Sequence, residues 1–312
     1  MAITAAQVKE LREMTGAGMM DCKKALTATE GNFEKAIEFL REKGLATAQK
    51  KASRIAAEGL CKTLVSKDGK NAVVVEVNAE TDFVAKNEKF QNYVAQVAQQ
   101  ALTTAAADIT AFLAEKWVLD TAKTVQEALA AQIAVIGENM NIRRYEQVKE
   151  DNGFVASYIH MGGKIGVLVD VETNVNNDEI QEMAKNIAMQ IAALKPLYVD
   201  RSEISDEYIE HEKEILRAQI MNDPKESQKP QKVIDGIITG RVNKELKEIC
   251  LVDQVYVKAE DGKQTVAQYI AQVAKANNAN IKIKKFVRYE TGEGIEKKQE
   301  NFAEEVAKQM NG

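Results

Sequence analysis

The hydrophobic pattern is densest between residues 73 and 97, where a strand-like run passes into a helical one. Residues 73–77 read VVVEV, a β-branched run that suits a buried strand. From Asn87 onward apolar residues recur at helical spacing, which predicts an amphipathic helix with Asn87 as its N-cap. The apolar residues of this helix are Phe90, Tyr93, Val94 and Val97. A buried strand is therefore predicted to lead into a helix through a short polar connection.

That connection reads ETDFV from Glu80 to Val84 and places Phe83 among polar and charged neighbours. Connections at strand ends face solvent and often carry binding residues, because a rigid scaffold holds them. Phe83 is therefore either folded back onto its own helix or presented to a partner. Since most aromatic side chains are buried, spacing alone favours the folded-back interpretation.

The pattern of residues 59–77 returns without a gap at residues 153–171, an offset of 94 residues that places Gly69 on Gly163. Each copy has two strand-like runs joined by a glycine-containing turn, which predicts a β-hairpin. A helix follows each copy, at residues 87–102 and 178–194. A lone hairpin is marginally stable, so each copy needs a third strand.

The candidates for the third strands are residues 141–148 and 281–290. The sequence therefore predicts an α+β fold in which two repeated subdomains each contain a three-stranded antiparallel sheet and covering helices. Between the repeats, Thr124 and Glu127 form a capping box that begins another amphipathic helix.

Residues 1–54 are predicted to form three short helices, separated by glycine-containing breaks at 15–18 and 30–32. Thr4 and Gln7 form a capping box, Asn32 caps the third helix, and Gly44 is expected to end it. Helices of this size predict a compact bundle of the ubiquitin-associated type. Met19 and Met20 follow a glycine turn, so they either form an adaptable exposed contact or fill the small core.

After Pro196, charged helices are predicted at residues 205–220 and 232–246, on either side of a proline-containing polar turn. Their narrow apolar seam predicts an antiparallel coiled-coil arm that pairs with a second copy or lies flat on its own body. The predicted domains are a helical module (1–54), a first core subdomain (55–149), a second core subdomain (150–200 and 243–295), the arm (201–242) and C-terminal helices with the last core strand (263–312). These C-terminal helices are residues 265–276 and 301–310.

The composition of the chain argues against several classes of function but does not point directly to one. The net charge of −5 argues against a protein that binds nucleic acid by neutralising phosphates. Three distant cysteines and two histidines leave little for a disulfide framework, a metal site or a histidine-based catalytic cluster. Without a signal peptide pattern or a membrane-length apolar run, the chain is expected to be cytoplasmic, with no membrane contact.

Catalytic and phosphate-binding motifs are also missing from the sequence, and no cofactor is expected. Glu80 and Asp82 form a carboxylate pair, but neither a nucleophile nor an orienting base accompanies them. The residues by themselves therefore favour a non-enzymatic binding protein with several contact surfaces.

Four motifs resemble signatures of the elongation factor Ts family. Residues 11–26 (LREMTGAGMMDCKKAL) resemble its N-terminal signature, and residues 76–86 (EVNAETDFVAK) resemble its second signature. Residues 136–144 and 292–297 also look like family motifs, so the resemblance spans the chain. Ala79 departs from the family pattern, in which a larger or sulfur-containing residue is common.

The resemblance implies a guanine-nucleotide exchange factor for elongation factor Tu. It implies that Asp82 and Phe83, flanked by Thr81 and Val84, intrude close to the magnesium and phosphate site of the GTPase. Phe83 would then be exposed and not folded back.

The resemblance implies three further contacts with the GTPase domain, from Arg12, Met19 and Met20, and an approach to the partner by His160. It also implies that the helical arm is a dimerisation region. Two alternatives remain: a ubiquitin-associated-type adaptor based on residues 1–54, and, ranked third, a hydrolase that uses Glu80 and Asp82.

Overall fold

Two three-stranded antiparallel sheets form the centre of the structure, a computed structural model that describes residues 3–296. The first sheet has the order β1-β2-β5 and the second has the order β6-β7-β8; β3 and β4 form a separate hairpin. The strands are β1 (Glu58–Val65), β2 (Asn71–Ala79), β3 (Lys116–Trp117), β4 (Asp120–Thr124), β5 (Met140–Lys149), β6 (Gly153–His160), β7 (Ile165–Thr173) and β8 (Ile281–Glu290).

Eleven α-helices accompany these strands within the described residues, so the predicted α+β class is confirmed. They are α1 (Ala5–Thr15), α2 (Met19–Ala28), α3 (Phe33–Lys51), α4 (Asp82–Ala85), α5 (Glu88–Thr103), α6 (Ile109–Ala114), α7 (Val125–Ile136), α8 (Asp178–Leu194), α9 (Asp206–Asn222), α10 (Gln231–Ile249) and α11 (Val266–Ala276). Between residues 3 and 296, no helix combines the length and the apolar character that a membrane crossing requires.

The predicted repeat is present in the structure as two matching sheets. In each sheet the hairpin is completed by a third strand, β5 or β8, where the sequence predicts one. The register slips at the same point in both copies, between Glu76 and Val77 and between Asp170 and Val171. A β-bulge conserved between the two copies indicates that they share a backbone geometry as well as a pattern.

The two sheets pack face to face, with helices on their outer faces. In β2, Val73, Val75 and Val77 belong to the core beneath α5, whereas Val74 belongs to the cluster between the sheets. In β7, Leu168 reaches the same inter-sheet cluster. A strand that is buried on both faces needs apolar residues at consecutive positions, which explains the valine runs.

The two halves also interlock through their hairpin turns. An added Cβ at Gly163 would lie 2.6 Å from Leu60 Cδ2, so this turn rests directly on β1. Gly69 makes the matching approach to Phe154 on β6. Within each half, a matched hydrogen bond extends the pairing of the central strand: the Glu150 N–H donates to the Lys70 carbonyl and the Thr291 N–H donates to the Lys164 carbonyl, each at 2.9 Å. These matched contacts relate the two halves by an approximate two-fold axis.

A buried carboxyl group occupies the same position in each central strand. Glu76 accepts hydrogen bonds from Arg144 Nε at 2.6 Å, Arg143 Nη1 at 3.0 Å and the Gly292 N–H at 2.8 Å. Burial alone would raise the pKa of Glu76, but these donors outweigh burial and hold the pKa below its usual value. Glu76 is therefore an ionised group that joins β2, β5 and the segment after β8.

Asp170, its counterpart, has a different environment. Burial, followed by a hydrogen bond with Glu150, raises the pKa of Asp170 to about 7. The neighbouring Glu150 accepts from Lys284 Nζ at 2.9 Å. The Glu150 carboxylate thus already binds the nearby ammonium group of Lys284. The Asp170 carboxyl group beside it therefore keeps its own proton more readily.

The N-terminal helices enclose a small core of their own, formed by Val8, Leu11, Cys22, Ala25, Leu26 and Ala36. The predicted capping boxes at Thr4 and Thr124 are present. The prediction that Gly44 ends the third helix is wrong, because α3 continues to Lys51 and lies against α7. Gly44 is buried at this crossing, and packing there offsets the roughly 1 kcal/mol that an interior glycine costs a helix.

Helices α9 and α10 pack on each other through an apolar seam that includes Ile220, Ile234, Ile238, Val242 and Leu246. Helix α11 contributes instead to the core of the second sheet, next to α8. The predicted segment 301–310 lies outside the described residues.

The Asp170 environment leads to a prediction about stability and pH. The folded pKa of about 7 lies above the ordinary value of 3.8, so stability from the bound proton is complete at low pH and is lost as pH rises to 7. Asp170→Asn keeps the neutral form at every pH. Its free energy of unfolding, relative to the unsubstituted chain, should therefore rise by about 2–3 kcal/mol between pH 5 and pH 8.

Chemical denaturation at both pH values measures this difference, with Glu76→Gln as the matched control. The control variant leaves Arg143 and Arg144 without their carboxylate, so it should lose about 2–3 kcal/mol at both pH values. A pH-independent effect of Asp170→Asn would contradict the raised pKa of Asp170.

Candidate functional site

The turn that follows β2 presents Phe83 to solvent. Thr81 is the N-cap of α4, and its hydroxyl oxygen accepts the Val84 N–H at 3.3 Å. The single turn of α4 buries Val84 and Ala85 on one side and leaves the Phe83 side chain 80% exposed on the other. The folded-back interpretation is therefore wrong: the core positions on this turn belong to Val84 and Ala85.

Asp82 lies beside this ring as a charged group. Its Oδ2 atom accepts from Lys86 Nζ at 2.7 Å, and Lys86 Nζ lies 6.0 Å from the centre of the Phe83 ring. The hydrogen bond from Lys86 is the main reason that the pKa of Asp82 is lowered, and the positive charge of Lys164 adds to the effect. Asp82 is thus ionised at neutral pH, next to an exposed aromatic side chain.

The turn between β6 and β7 belongs to the same end of the molecule. Lys164 at this turn forms an ion pair with Glu58 at the start of β1, and its charge acts on Asp82. His160 leads into the turn, with its Nδ1 atom 2.9 Å from the Tyr158 hydroxyl. The structure therefore brings His160 to the end of the sheets that carries residues 81–84.

Met161 is a part of this surface that the sequence analysis did not single out. Its side chain is 72% exposed, and its φ angle of +47° is unusual for a residue other than glycine. The sequence feature that could have indicated its exposure is its position beside two glycines in a turn, because a turn side chain has no core to pack into. Met161 adds an apolar, adaptable side chain to the same end as Phe83.

Three further predicted residues lie on the N-terminal module. Arg12 is exposed on α1, and the Met19 and Met20 side chains on α2 are 57% and 63% exposed. The interpretation that these methionines fill the small core is wrong, because Cys22, Leu26 and their neighbours already fill it. Arg12, Met19 and Met20 form a second surface, carried by a core separate from the one beneath Phe83.

The carboxylates suggested for hydrolysis are engaged in separate contacts. Glu80 accepts from the Asn139 N–H and lies 3.6 Å from an Arg54 nitrogen, whereas Asp82 is paired with Lys86. Among residues 3–296, no three His, Cys, Asp or Glu side chains are grouped as metal ligands. The arrangement presents an exposed aromatic ring beside a negatively charged carboxylate.

Comparisons with known proteins agree with the motifs. A family model described as "Elongation factor TS" matches residues 80–293. The chain is 52% identical over 309 residues to "Elongation factor Ts" of Clostridium novyi (strain NT), covering 99% of each chain. It is also 52% identical over 308 residues to "Elongation factor Ts" of Clostridium tetani (strain Massachusetts / E88), again covering 99% of each chain.

The exposure of Phe83 predicts that its substitution leaves folding intact. Phe83→Ala should change the free energy of unfolding by less than about 0.5 kcal/mol, because a surface side chain loses little packing. Phe90→Ala is the matched control, since Phe90 is fully buried on the next helix and should lose about 3–5 kcal/mol. Urea denaturation compares the two, and a comparable loss for Phe83→Ala would show that its ring supports the core.

Proposed function

This chain belongs to the elongation factor Ts family, and from that premise we propose that it is a guanine-nucleotide exchange factor. It binds elongation factor Tu in its GDP-bound and nucleotide-free forms and promotes GDP release during translation elongation. It acts in the cytoplasm through protein–protein contacts and catalyses no chemical reaction of its own. The similarity along 99% of the chain favours this function over an adaptor, a hypothesis that rests on residues 1–54 alone.

One observation carries the proposed mechanism: Phe83 is exposed on a short helix whose other side is anchored in the core. We propose that Phe83 inserts near the magnesium and phosphate site of the GTPase, with Thr81, Asp82 and Val84 forming the rest of the contact. Burial of an aromatic side chain in a partner's pocket contributes about 2–4 kcal/mol, as judged by truncation to alanine. The ionised Asp82 brings negative charge to a site that binds phosphate and thereby disfavours bound GDP.

Thermodynamic linkage explains how such a contact produces exchange. A factor that binds the nucleotide-free GTPase more tightly than the GDP-bound form must weaken GDP binding by the same ratio. The free energy gained when Phe83 and Asp82 enter the partner is thus the free energy available for loosening the magnesium and phosphate contacts.

The remaining predicted contacts extend the interface. We propose that His160 approaches the GTPase together with Phe83, since both belong to one end of the paired sheets. Arg12, Met19 and Met20 form a second contact through the N-terminal module, a bundle that we propose is ubiquitin-associated-like. Exposed methionines suit this role because their side chains adapt to the surface that they meet.

We also propose that the α9–α10 hairpin is a coiled-coil arm that mediates homodimer formation. Support comes from apolar side chains that stay exposed on these helices although the inner seam is filled; they are Ile215, Met221 and Val233. Apolar side chains outside a filled seam are available to a second copy of the arm.

The exchange function is tested by release of a fluorescent GDP analogue from purified elongation factor Tu. The unsubstituted chain should accelerate release, and Phe83→Ala should lower the factor-dependent rate about 30-fold or more, the equivalent of about 2 kcal/mol. Leu119→Ala, which truncates an exposed apolar residue on the β3–β4 turn, is the control and should release GDP at the normal rate. No acceleration by the unsubstituted chain would refute the function; a normal rate with Phe83→Ala would refute only the role of the ring.

The arm is tested separately by sedimentation velocity over a range of concentrations. The unsubstituted chain should form a dimer as concentration rises, and Val233→Glu should remain monomeric because a charge cannot be buried between two arms. Leu197→Glu places the same charge at an exposed apolar position outside the arm and should leave dimer formation unchanged. A monomer at every concentration for the unsubstituted chain would rule out the homodimer.

A further inference from the structure

The turn that carries Phe83 is joined to the loop after α7 by reciprocal hydrogen bonds. Glu138 in this loop accepts from the Thr81 N–H at 3.0 Å and from the Thr81 hydroxyl at 2.7 Å. In the opposite direction, the Asn139 N–H donates to the Glu80 carboxylate. Each turn therefore supplies a carboxylate that satisfies a backbone donor of the other.

The two bonds from Thr81 fix the start of the helix that presents Phe83. Because the Thr81 hydroxyl gives its proton to Glu138, its oxygen is directed to accept the Val84 N–H and so caps α4. A one-turn helix has too few internal hydrogen bonds to be stable alone. The direction of the exposed Phe83 ring thus depends on a cap that Glu138 orients.

The loop itself is held in place from both sides. Gly137 ends α7 in the left-handed conformation, with φ of +89°, and its carbonyl accepts from Lys51 Nζ at 2.6 Å. The Asn139 side chain donates to the Arg54 carbonyl at 2.7 Å. Lys51 and Arg54 therefore tie the end of α3, and the residues just after it, to this loop.

We propose that Glu138 is a positioning residue for nucleotide exchange: it holds α4 so that Phe83 is already oriented before the partner arrives. Fixing a backbone residue costs about 1–2 kcal/mol of conformational entropy, so a turn that is ordered in advance loses less on binding. The clamp is a property of the free protein. Only its consequence for exchange rests on the function proposed above.

The clamp is tested in the full-length chain without any partner, by amide hydrogen exchange. Glu138→Ala should accelerate exchange at residues 81–86 about tenfold or more, because the Thr81 N–H loses its acceptor and the α4 cap loses its orientation. Glu138→Gln should show a smaller effect, since its amide can still accept from the Thr81 N–H and donate to the hydroxyl.

Glu115→Ala provides a matched control at the far end of α5. Glu115 likewise accepts from a threonine hydroxyl, that of Thr104 at 2.6 Å, and it also accepts from Gln100. This variant should leave exchange at residues 81–86 unchanged. Unchanged exchange at residues 81–86 in Glu138→Ala, or equal acceleration throughout the first sheet, would overturn the clamp.

Release of the GDP analogue from elongation factor Tu tests the consequence. Glu138→Ala should lower the factor-dependent rate about tenfold, Glu138→Gln less, and Glu115→Ala not at all. In a Phe83→Ala background, at factor concentrations that still accelerate release measurably, adding Glu138→Ala should change the rate less than twofold, because the side chain that Glu138 positions is gone.

The possible failures can be told apart. Independent, multiplying effects of the two substitutions would show that Glu138 does not act through Phe83, and a normal rate for Glu138→Ala would overturn the positioning role. If the unsubstituted chain fails to accelerate release, the exchange function fails, while the amide exchange pattern still decides whether the clamp exists.

Discussion

The packing of one three-stranded sheet against the other is the constraint on which the rest of the structure depends. It buries both faces of β2 and β7, so neither strand can shift without exposing a cluster of apolar side chains. It also encloses Glu76, whose contacts with Arg143, Arg144 and the Gly292 N–H join strands from both halves. Because the end of β2 is fixed in this way, the turn that follows can expose an aromatic ring without disturbing the core.

The internal duplication supplies the scaffold, and the two copies differ at the turn that carries Phe83. In the first copy seven residues, including α4 with Phe83, lie between the end of β2 and Asn87, the N-cap of α5; in the second copy only three lie between the end of β7 and Asn177, the N-cap of α8. The first copy therefore carries Phe83 on an extra exposed turn, while the second passes almost directly from strand to helix. The buried carboxyl groups also differ between the copies: two arginines help to hold the pKa of Glu76 below its usual value, whereas burial raises the pKa of Asp170.

Local patterns predicted those features that depend on neighbouring residues. The capping boxes, the repeated hairpins and the third strands all follow from spacing within a few residues or from similarity between two segments. Spacing failed where distant contacts decide the outcome: Gly44 stays helical because α3 crosses α7, and Phe83 is exposed because Val84 takes the core position. No local signal connects Glu138 to Thr81, 57 residues earlier in the chain.

The turn that carries Phe83 illustrates how a protein can orient an exposed aromatic side chain that contributes little to its own folding. Packing cannot orient a ring that faces solvent, so orientation has to come from the backbone beneath it. Hydrogen bonds suit this task because they are directional, although each contributes only about 1 kcal/mol to stability. The hydrogen bonds that do this here join the turn after β2 to the loop after α7, at the edge of the apolar core. They involve Glu80, Thr81, Glu138 and Asn139. They allow the first sheet to hold an apolar side chain in solvent on an ordered turn.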